Sequence, residues 1–398
     1  MFSLFKNRKA PLYAAIDVGS HAVKAVIFEK TRDKKNPKVL KKIIMKLPPA
    51  FEPIRMVHKL REILFVVVKE LGRIPEKLVI AFGTSLAAHT FEVWNAGTLS
   101  AEEVSAEALG RLFKSIADSH ISAGRFIFAY PIEALVNGYT VAYFKTGNWI
   151  SAGLGKNGAS GEIFKKIALY PGSAISFRAL ILTCAEDVGE GLLNLKKSFG
   201  GMPIEFIPIS FAHQHAATRV LGYRDVMLID IGGEMTVLAE IQESVIGEIA
   251  SIEVGGRNFV RGIARVAGIS FDEAEDLKRQ YASDQISEER KKMIRSFIGQ
   301  EADFWKKKFL ESLDAFYRLG PLPPEVLLFG GGSNLEDIAS YLREGGWLED
   351  FSYAKSATVR LMRGSDLFDG SSLKGFLQGP DEFAIGSLIH YALEESNH

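Results

Sequence analysis

The chain has one cysteine in 398 residues, Cys184. A lone thiol excludes an internal disulfide framework, and the clustered Cys and His spacing of a structural zinc site is missing, which points to a reducing compartment such as the cytosol. An excess of charge of either sign is missing too. Lys and Arg together number 48 and Asp and Glu together 48, so net charge names neither nucleic acid nor an acidic surface as the default partner. Long apolar runs are absent. The strongest near the start, "ILFVVV" at 63–68, lies between Glu62 and Lys69 and falls far short of the roughly 20 residues needed to span a bilayer. The N-terminus lacks the apolar region of a signal peptide. The composition, 47% hydrophobic and 24% charged, is that of a globular chain able to bury a large core in two or more domains.

What is present starts with "LYAAIDVGSHAVKAVIFEK", Leu12 to Lys30. Asp-x-Gly at the end of a strand commonly leads into a helix, yet the residues after Gly19 alternate as a second strand, so a hairpin is expected with Asp17 and Gly19 at its tip. The charged segment 31–38 continues as a turn. A helix follows over 54–71, stopped by Gly72 with Pro75 beyond it, then the buried strand "KLVIAFG". Residues 98–178 change character. A helix capped at Ser100, with Glu103 three residues on, precedes the short strands "RFIFAYPI", "YTVAYFK" and "EIFKKIALY", which together read as an inserted α+β subdomain. The strand "SFRALILT" and a helix near 185–199 return to the opening style.

The opening pattern then repeats. Ile229-Asp230-Ile231-Gly232-Gly233 matches Ile16-Asp17-Val18-Gly19-Ser20, and strand alternation again follows, so an internal duplication is expected. One Asp-x-Gly turn is ordinary turn chemistry. Two of them suit a nucleotide clamp, because glycines let backbone N–H groups approach phosphate oxygens and an aspartate at each tip can hold hydrated magnesium. The helix at 272–282 places Glu275 and Lys278 on one face, an acceptor and a donor for ribose hydroxyls or else a solvated helix face. "EVLLFGGGSNLEDIASYL" offers Gly330, Gly331 and Gly332 between strand and helix, either a plain strand-to-helix turn or a backbone surface for adenine. Trp305, Phe309, Leu313 and Phe316 form a stripe on a helix over 302–317, the pattern of a core-facing helix.

In order, "IDVGS", "IDIGGEMT", "AEDLK" and "FGGGSN" resemble the two phosphate motifs, the adenosine helix and the adenosine motif of the actin, Hsp70 and sugar kinase superfamily, over nearly the whole chain. The separate segment 98–178 and the missing insert near position 50 are similar to the bacterial actin homologues FtsA and PilM. The resemblance implies an α/β, actin-like (ribonuclease H-like) duplicated fold with an ATP cleft between two domains and an inserted subdomain of the FtsA 1C (SHS2) type. It divides the chain into a basic tail (1–10), domain I (11–97 and 179–222) interrupted by the insert (98–178), domain II (223–370) and a helix (371–398) closing domain I. The cofactors implied are ATP or ADP and Mg2+. The nucleotide would be met by Asp17, Gly19, Ser20, His21 and Lys24 in the first half. Asp230, Gly232, Gly233, Thr236, Gly255, Gly256, Glu275, Lys278, Gly330, Gly331, Gly332 and Ser333 would meet it in the second. Asp17 and Asp230 would hold the metal through water. The implied partners are further copies in a filament, cell-division or pilus assembly proteins and the inner membrane surface at its cytoplasmic face, with no nucleic acid.

Three features depart from that pattern. Ile209 and Ser210 stand where a Glu-Pro is common, so a carboxylate to orient water is missing and hydrolysis is expected to be slow or undetectable, with His213 and His215 nearby. Glu234 takes the place of a glycine in the second phosphate motif, a charge for magnesium or Lys24 to offset. The chain closes on "EFAIGSLIHYALEE" without the amphipathic helix usual in FtsA. Attachment is then expected through the tail "MFSLFKNRK", where Met1, Phe2, Leu4 and Phe5 precede three basic residues. Three classes of function fit these residues: an ATP-binding cytoskeletal adaptor of the FtsA kind, a PilM-like scaffold binding a membrane-protein peptide, and an exopolyphosphatase-like phosphohydrolase.

Overall fold

The structure, a computed structural model, describes residues 10–31, 37–49, 52–72, 74–98, 106–122, 128–145, 148–151, 174–283, 285–344, 346–353, 356–368, 373 and 375–394. The tail with Met1, Phe2, Leu4 and Phe5, the helix cap at Ser100 and the expected strand at 162–170 lie outside them.

The first half opens with β1 (Leu12–Val18), β2 (Ala22–Glu29) and β3 (Lys38–Lys46), followed by α1 (Pro53–Leu71) and β4 (Lys77–Phe82). Pro53 begins α1, where its missing N–H costs nothing, and Gly72 ends it at φ 57°, a conformation glycine adopts without strain. The chain then builds β5 (Ala88–Thr98), α2 (Ala106–Ser122), β6 (Phe128–Val136), β7 (Tyr139–Lys145), β8 (Asn148–Ser151) and β9 (Ala174–Thr183). It returns through α3 (Glu186–Ser198), β10 (Ile204–Pro208) and α4 (Ile209–His215). The second half comprises β11 (Val226–Ile231), β12 (Thr236–Gln242), β13 (Val245–Ile252), α5 (Gly256–Ala267), α6 (Phe271–Ala282), α7 (Glu288–Tyr317), β14 (Glu325–Phe329), α8 (Glu336–Glu344), β15 (Thr358–Leu361) and α9 (Phe383–Leu393).

Two five-stranded sheets share one topology. The first runs β10-β4-β1-β2-β3 and the second β15-β14-β11-β12-β13. In each, the opening strand pairs antiparallel with the next and parallel with the strand on its other side. This is the duplication that the repeated Asp-x-Gly pattern foretells, and the fold is the actin-like α/β fold expected from the sequence. β1 is buried along its whole length because both faces are covered. Leu12, Ala14 and Ile16 join a core with α1 and α3, while Tyr13 and Ala15 join another with α4 and α9. Val226 and Leu228 of β11 enter that same inner core, and Met227, Ile229 and Ile231 pack toward α5, α6 and α7. The opening strand of each sheet is thereby held rigid, and each ends at the cleft.

The third sheet, β5-β9-β6-β7-β8, is antiparallel throughout and backed by α2 through Trp94, Leu109, Phe113 and Phe177. β5 and β9 flank the expected insert and pair with each other, so this sheet starts at Ala88 and reaches Thr183. Asn137 and Gly138, both at positive φ, turn β6 into β7. Arg178 of β9 ties the sheet to the second half, donating to the Gly247 carbonyl at 2.5 Å and to Glu248 at 2.8 Å. Tyr130 of β6 bonds Tyr391 of α9 at 2.8 Å, and Tyr391 donates to Glu205 of β10. The helix expected over 302–317 extends back to Glu288, where Ser287 caps it, and Ile294, Ile298 and Ala302 continue its buried stripe.

Candidate functional site

The two hairpins meet tip to tip. Across the first, Asp17 stands opposite Lys24, and the Gly19 N–H closes the turn on the Ala22 carbonyl. Across the second, Asp230 stands opposite Val237. The Glu234 N–H donates to the Ser20 hydroxyl at 3.0 Å, joining the loops directly. A Cβ at Gly233 would stand 2.7 Å from that hydroxyl, and one at Gly255 would stand 2.5 Å from the Gly233 carbonyl, so neither position has room for a side chain. Gly330 sits at φ 91°, a conformation few other residues adopt.

Between the hairpins opens a cavity of about 600 Å³, a volume typical of small-ligand sites. Asp17, Gly19, Ser20, His21 and Lys24 line it from the first half, and Asp230, Gly232, Gly233 and Gly256 from the second. Glu275 and Lys278 of α6 and the loop Gly330, Gly331 and Gly332 complete the wall. Lys278 bonds Glu275 at 3.0 Å, and Arg279 lies 3.4 Å from the same carboxylate. Burial pushes Glu275 upward, but the charges of Lys278, His21 and Arg279 outweigh it and hold the group below the usual carboxylate range.

Asp17 and Asp230 carry the distinctive electrostatics. Burial pushes Asp17 up to about 6, partly offset by Lys24. Burial and then the neighbouring Asp17 push Asp230 up to about 7. Asp17, buried, and Asp230, half-buried, face the same space without a cation between them. Lys24 does not supply it fully, since its ammonium is held by the Asp381 carboxylate at 2.9 Å and by the Asp381 carbonyl. A hydrated Mg2+ fits this demand. Among the described residues no group of three or more His, Cys, Asp or Glu gathers as an all-protein metal site, so a cation here would be held by these two aspartates through water and by phosphate oxygens. The magnesium of a bound nucleotide would supply the missing positive charge.

Three expected contacts are not at the cavity wall. Thr236 is fully buried, donating to the Val254 carbonyl at 2.8 Å and accepting from the Trp305 indole at 2.8 Å. Strand alternation turns it into the α7 core while Met235 and Val237 face the cavity. Ser333 is buried and spends its hydroxyl on the Gly330 carbonyl. Gly255 packs against the second tip instead of the open space. Lys24, spent on Asp381, does not offset the charge of Glu234. Arg261 holds it at 2.6 and 2.8 Å, with Arg257 at 3.5 Å.

Ile209 lines the cavity at the start of α4, and the Ser210 hydroxyl behind it is buried. His213 faces away, edge-on to Phe329 with ring centroids 4.6 Å apart, and burial drives it down to about 3. His215 pairs with Glu394 at 3.1 Å. Sequence reasoning missed Asp381, Arg257, Arg279 and Lys46, all at the wall. Asp381 stands 357 residues from Lys24; the acidic Pro-Asp-Glu ahead of α9 is the signal that marks it.

The FtsA family (Cell division protein FtsA) matches residues 227–375 of the chain. No curated protein matches it by sequence. Among solved structures it is similar to a PilM-PilN type IV pilus biogenesis complex, at 17% identity over 98% of this chain and 100% of that one, with a TM-score of 0.62. It is also similar to ethanolamine utilization protein EutJ from Carboxydothermus hydrogenoformans, at 14% identity over 97% and 90% of the chains and a TM-score of 0.48. Two sheets of one topology, an inserted third sheet and a cleft between paired Asp-x-Gly tips give the chain an actin-like fold, with the match to the FtsA family lying in its second half and the likeness to the PilM-PilN complex spanning nearly all of it.

Proposed function

We propose that the chain is an ATP-binding, actin-like adaptor of the FtsA kind, which self-associates and links a cytoplasmic assembly to the inner face of the membrane. The observation that carries the nucleotide part is the placement of Asp17, buried, and Asp230, half-buried, both raised by desolvation, at hairpin tips that share one cavity. Binding of nucleotide across those tips would bias the relative position of the two halves, and with it the affinity for neighbouring copies or partners. The tail residues Met1, Phe2, Leu4 and Phe5 are the proposed membrane contact, and among the described residues no helix is long and apolar enough to cross a bilayer. Electron microscopy of the purified protein with Mg-ATP, with and without anionic liposomes, tests the reading. Filaments that require nucleotide, and liposome binding lost on deletion of residues 1–9, are expected. Absence of any nucleotide-dependent assembly would remove the filament.

A second reading, a PilM-like scaffold for a peptide of a membrane protein, is favoured by the likeness to the PilM-PilN complex over nearly the full length of both chains. Pull-down of such a peptide by a nucleotide-independent monomer would select it. Phosphate release from polyphosphate would instead select a phosphohydrolase.

A further inference from the structure

Arg257, the second residue of α5, is only 1% exposed. Arginine is almost never so deeply buried without partners. Its backbone belongs to the second half, where its N–H donates to the Gly233 carbonyl at 2.7 Å. Its side chain belongs to the first. One guanidinium nitrogen donates to the Ser20 carbonyl at 3.0 Å and another to the Pro48 carbonyl. Glu234, clamped by Arg261, stands 3.5 Å from the Arg257 Nε, and the guanidinium lies 5.2 Å over the Phe271 ring. The fork is thus oriented from behind by the second half and spent on two carbonyls of the first, beside the cavity it also lines. Separating the halves would break both charge-assisted bonds and strand a buried cation.

We propose that Arg257 is the latch of the cleft, tying the first phosphate loop to the second half so that bound nucleotide leaves only when the bonds to Ser20 and Pro48 are broken. The inference rests on reading the cavity as a nucleotide site, and it gives Glu234 a task in place of a phosphate contact: presetting the Arg257 fork. Lysine cannot substitute, because an ammonium lacks the planar fork that reaches two carbonyls at once.

The test uses the full chain loaded with a fluorescent N-methylanthraniloyl-ATP and Mg2+, chased with excess ATP. Arg257→Lys and Arg257→Met should release the analogue about tenfold faster or more, the loss of one charge-assisted hydrogen bond. Arg265→Met, on the same helix but with an exposed side chain paired to Glu301 away from the cavity, serves as the control and should stay within about twofold. In parallel, spin labels at Glu62→Cys on α1 and Glu289→Cys on α7, in a Cys184→Ser background, report the distance between the halves without nucleotide. Arg257→Lys should lengthen or broaden it. Unchanged release and unchanged distance in both Arg257 variants would overturn the latch. Faster release at an unchanged distance would overturn it too, making Arg257 a phosphate contact instead. If the wild-type protein fails to bind the analogue, the nucleotide reading falls, while the label distance still decides whether Arg257 holds the halves together.

Discussion

The hydroxyl of Ser20 accepts a hydrogen bond from the backbone N–H of Glu234 at 3.0 Å, across 214 residues of chain. The tips of two duplicated hairpins are therefore in contact, and the glycine behind that contact, Gly233, has no room for a methyl group.

Gly233→Ala should force the tips apart. Its Cβ would meet the Ser20 hydroxyl at 2.7 Å and the His21 backbone N at 3.3 Å, an overpacking that costs about 1 to 3 kcal/mol. Calorimetry should show Mg-ATP binding weakened well beyond any loss in melting temperature of the unliganded protein. Equal binding by wild type and variant would separate the tips from the nucleotide.

The acid pair predicts an unusual pH response. Asp17 and Asp230 hold protons up to about 6 and about 7 when folded, against an ordinary value of 3.8. Between these limits the folded state binds more protons than the unfolded one, so unliganded stability should fall as pH rises from about 4 to about 7 and level off above. Asp230→Asn should remove its own share of that fall, leaving the share due to Asp17, and abolish Mg-ATP stabilisation, which in the wild type reaches about 2.7 kcal/mol at 100 times the dissociation constant. Denaturant melts across this pH range with and without Mg-ATP measure both, and a flat wild-type profile would contradict the pair.

Steady-state ATP hydrolysis should run at or near background. The acids at the wall are committed, Asp381 to Lys24 and Glu275 to Lys278 and Arg279, with Asp17 and Asp230 facing the proposed metal. Ile209 offers no group to orient water, and His213 is buried among aromatic rings. A phosphate-release assay giving brisk turnover in monomeric protein would refute this.

Thr236→Val should lower stability by about 1 to 3 kcal/mol, since it strands the buried Trp305 indole N–H. Affinity for ATP should be unchanged. A loss of affinity without a loss of stability would return Thr236 to the nucleotide.

The duplication was legible in the sequence because it is written locally, as two strands each ending in Asp-x-Gly and each followed by alternation of period two. The glycine loop at 330–332 and the helix bearing Glu275 and Lys278 were legible for the same reason. Thr236 was misplaced because spacing from Asp230 fixes proximity, and only the side-chain alternation along β12, read against the burial of Trp305, fixes which way it points. The partners of Glu234 and Lys24 lay beyond reach. Arg261 is on a helix that packs back against the loop, and Asp381 approaches Lys24 from the far end of the chain, so no local pattern connects them.

The first sheet also sets an order of events during synthesis. β4 ends at Phe82, yet its neighbour β10 begins only at Ile204, and α9, which covers β1, begins at Phe383. The second sheet takes all five strands from residues 226 to 361, with its own excursion between β11 and its neighbour β14, which begins at Glu325. Pairing across a long excursion must wait for the intervening chain and carries a larger loop-closure entropy. The core shared by both halves therefore closes only when α9 emerges, and a nascent chain halted before β10 exposes the apolar edge of β4, a surface for chaperones to cover.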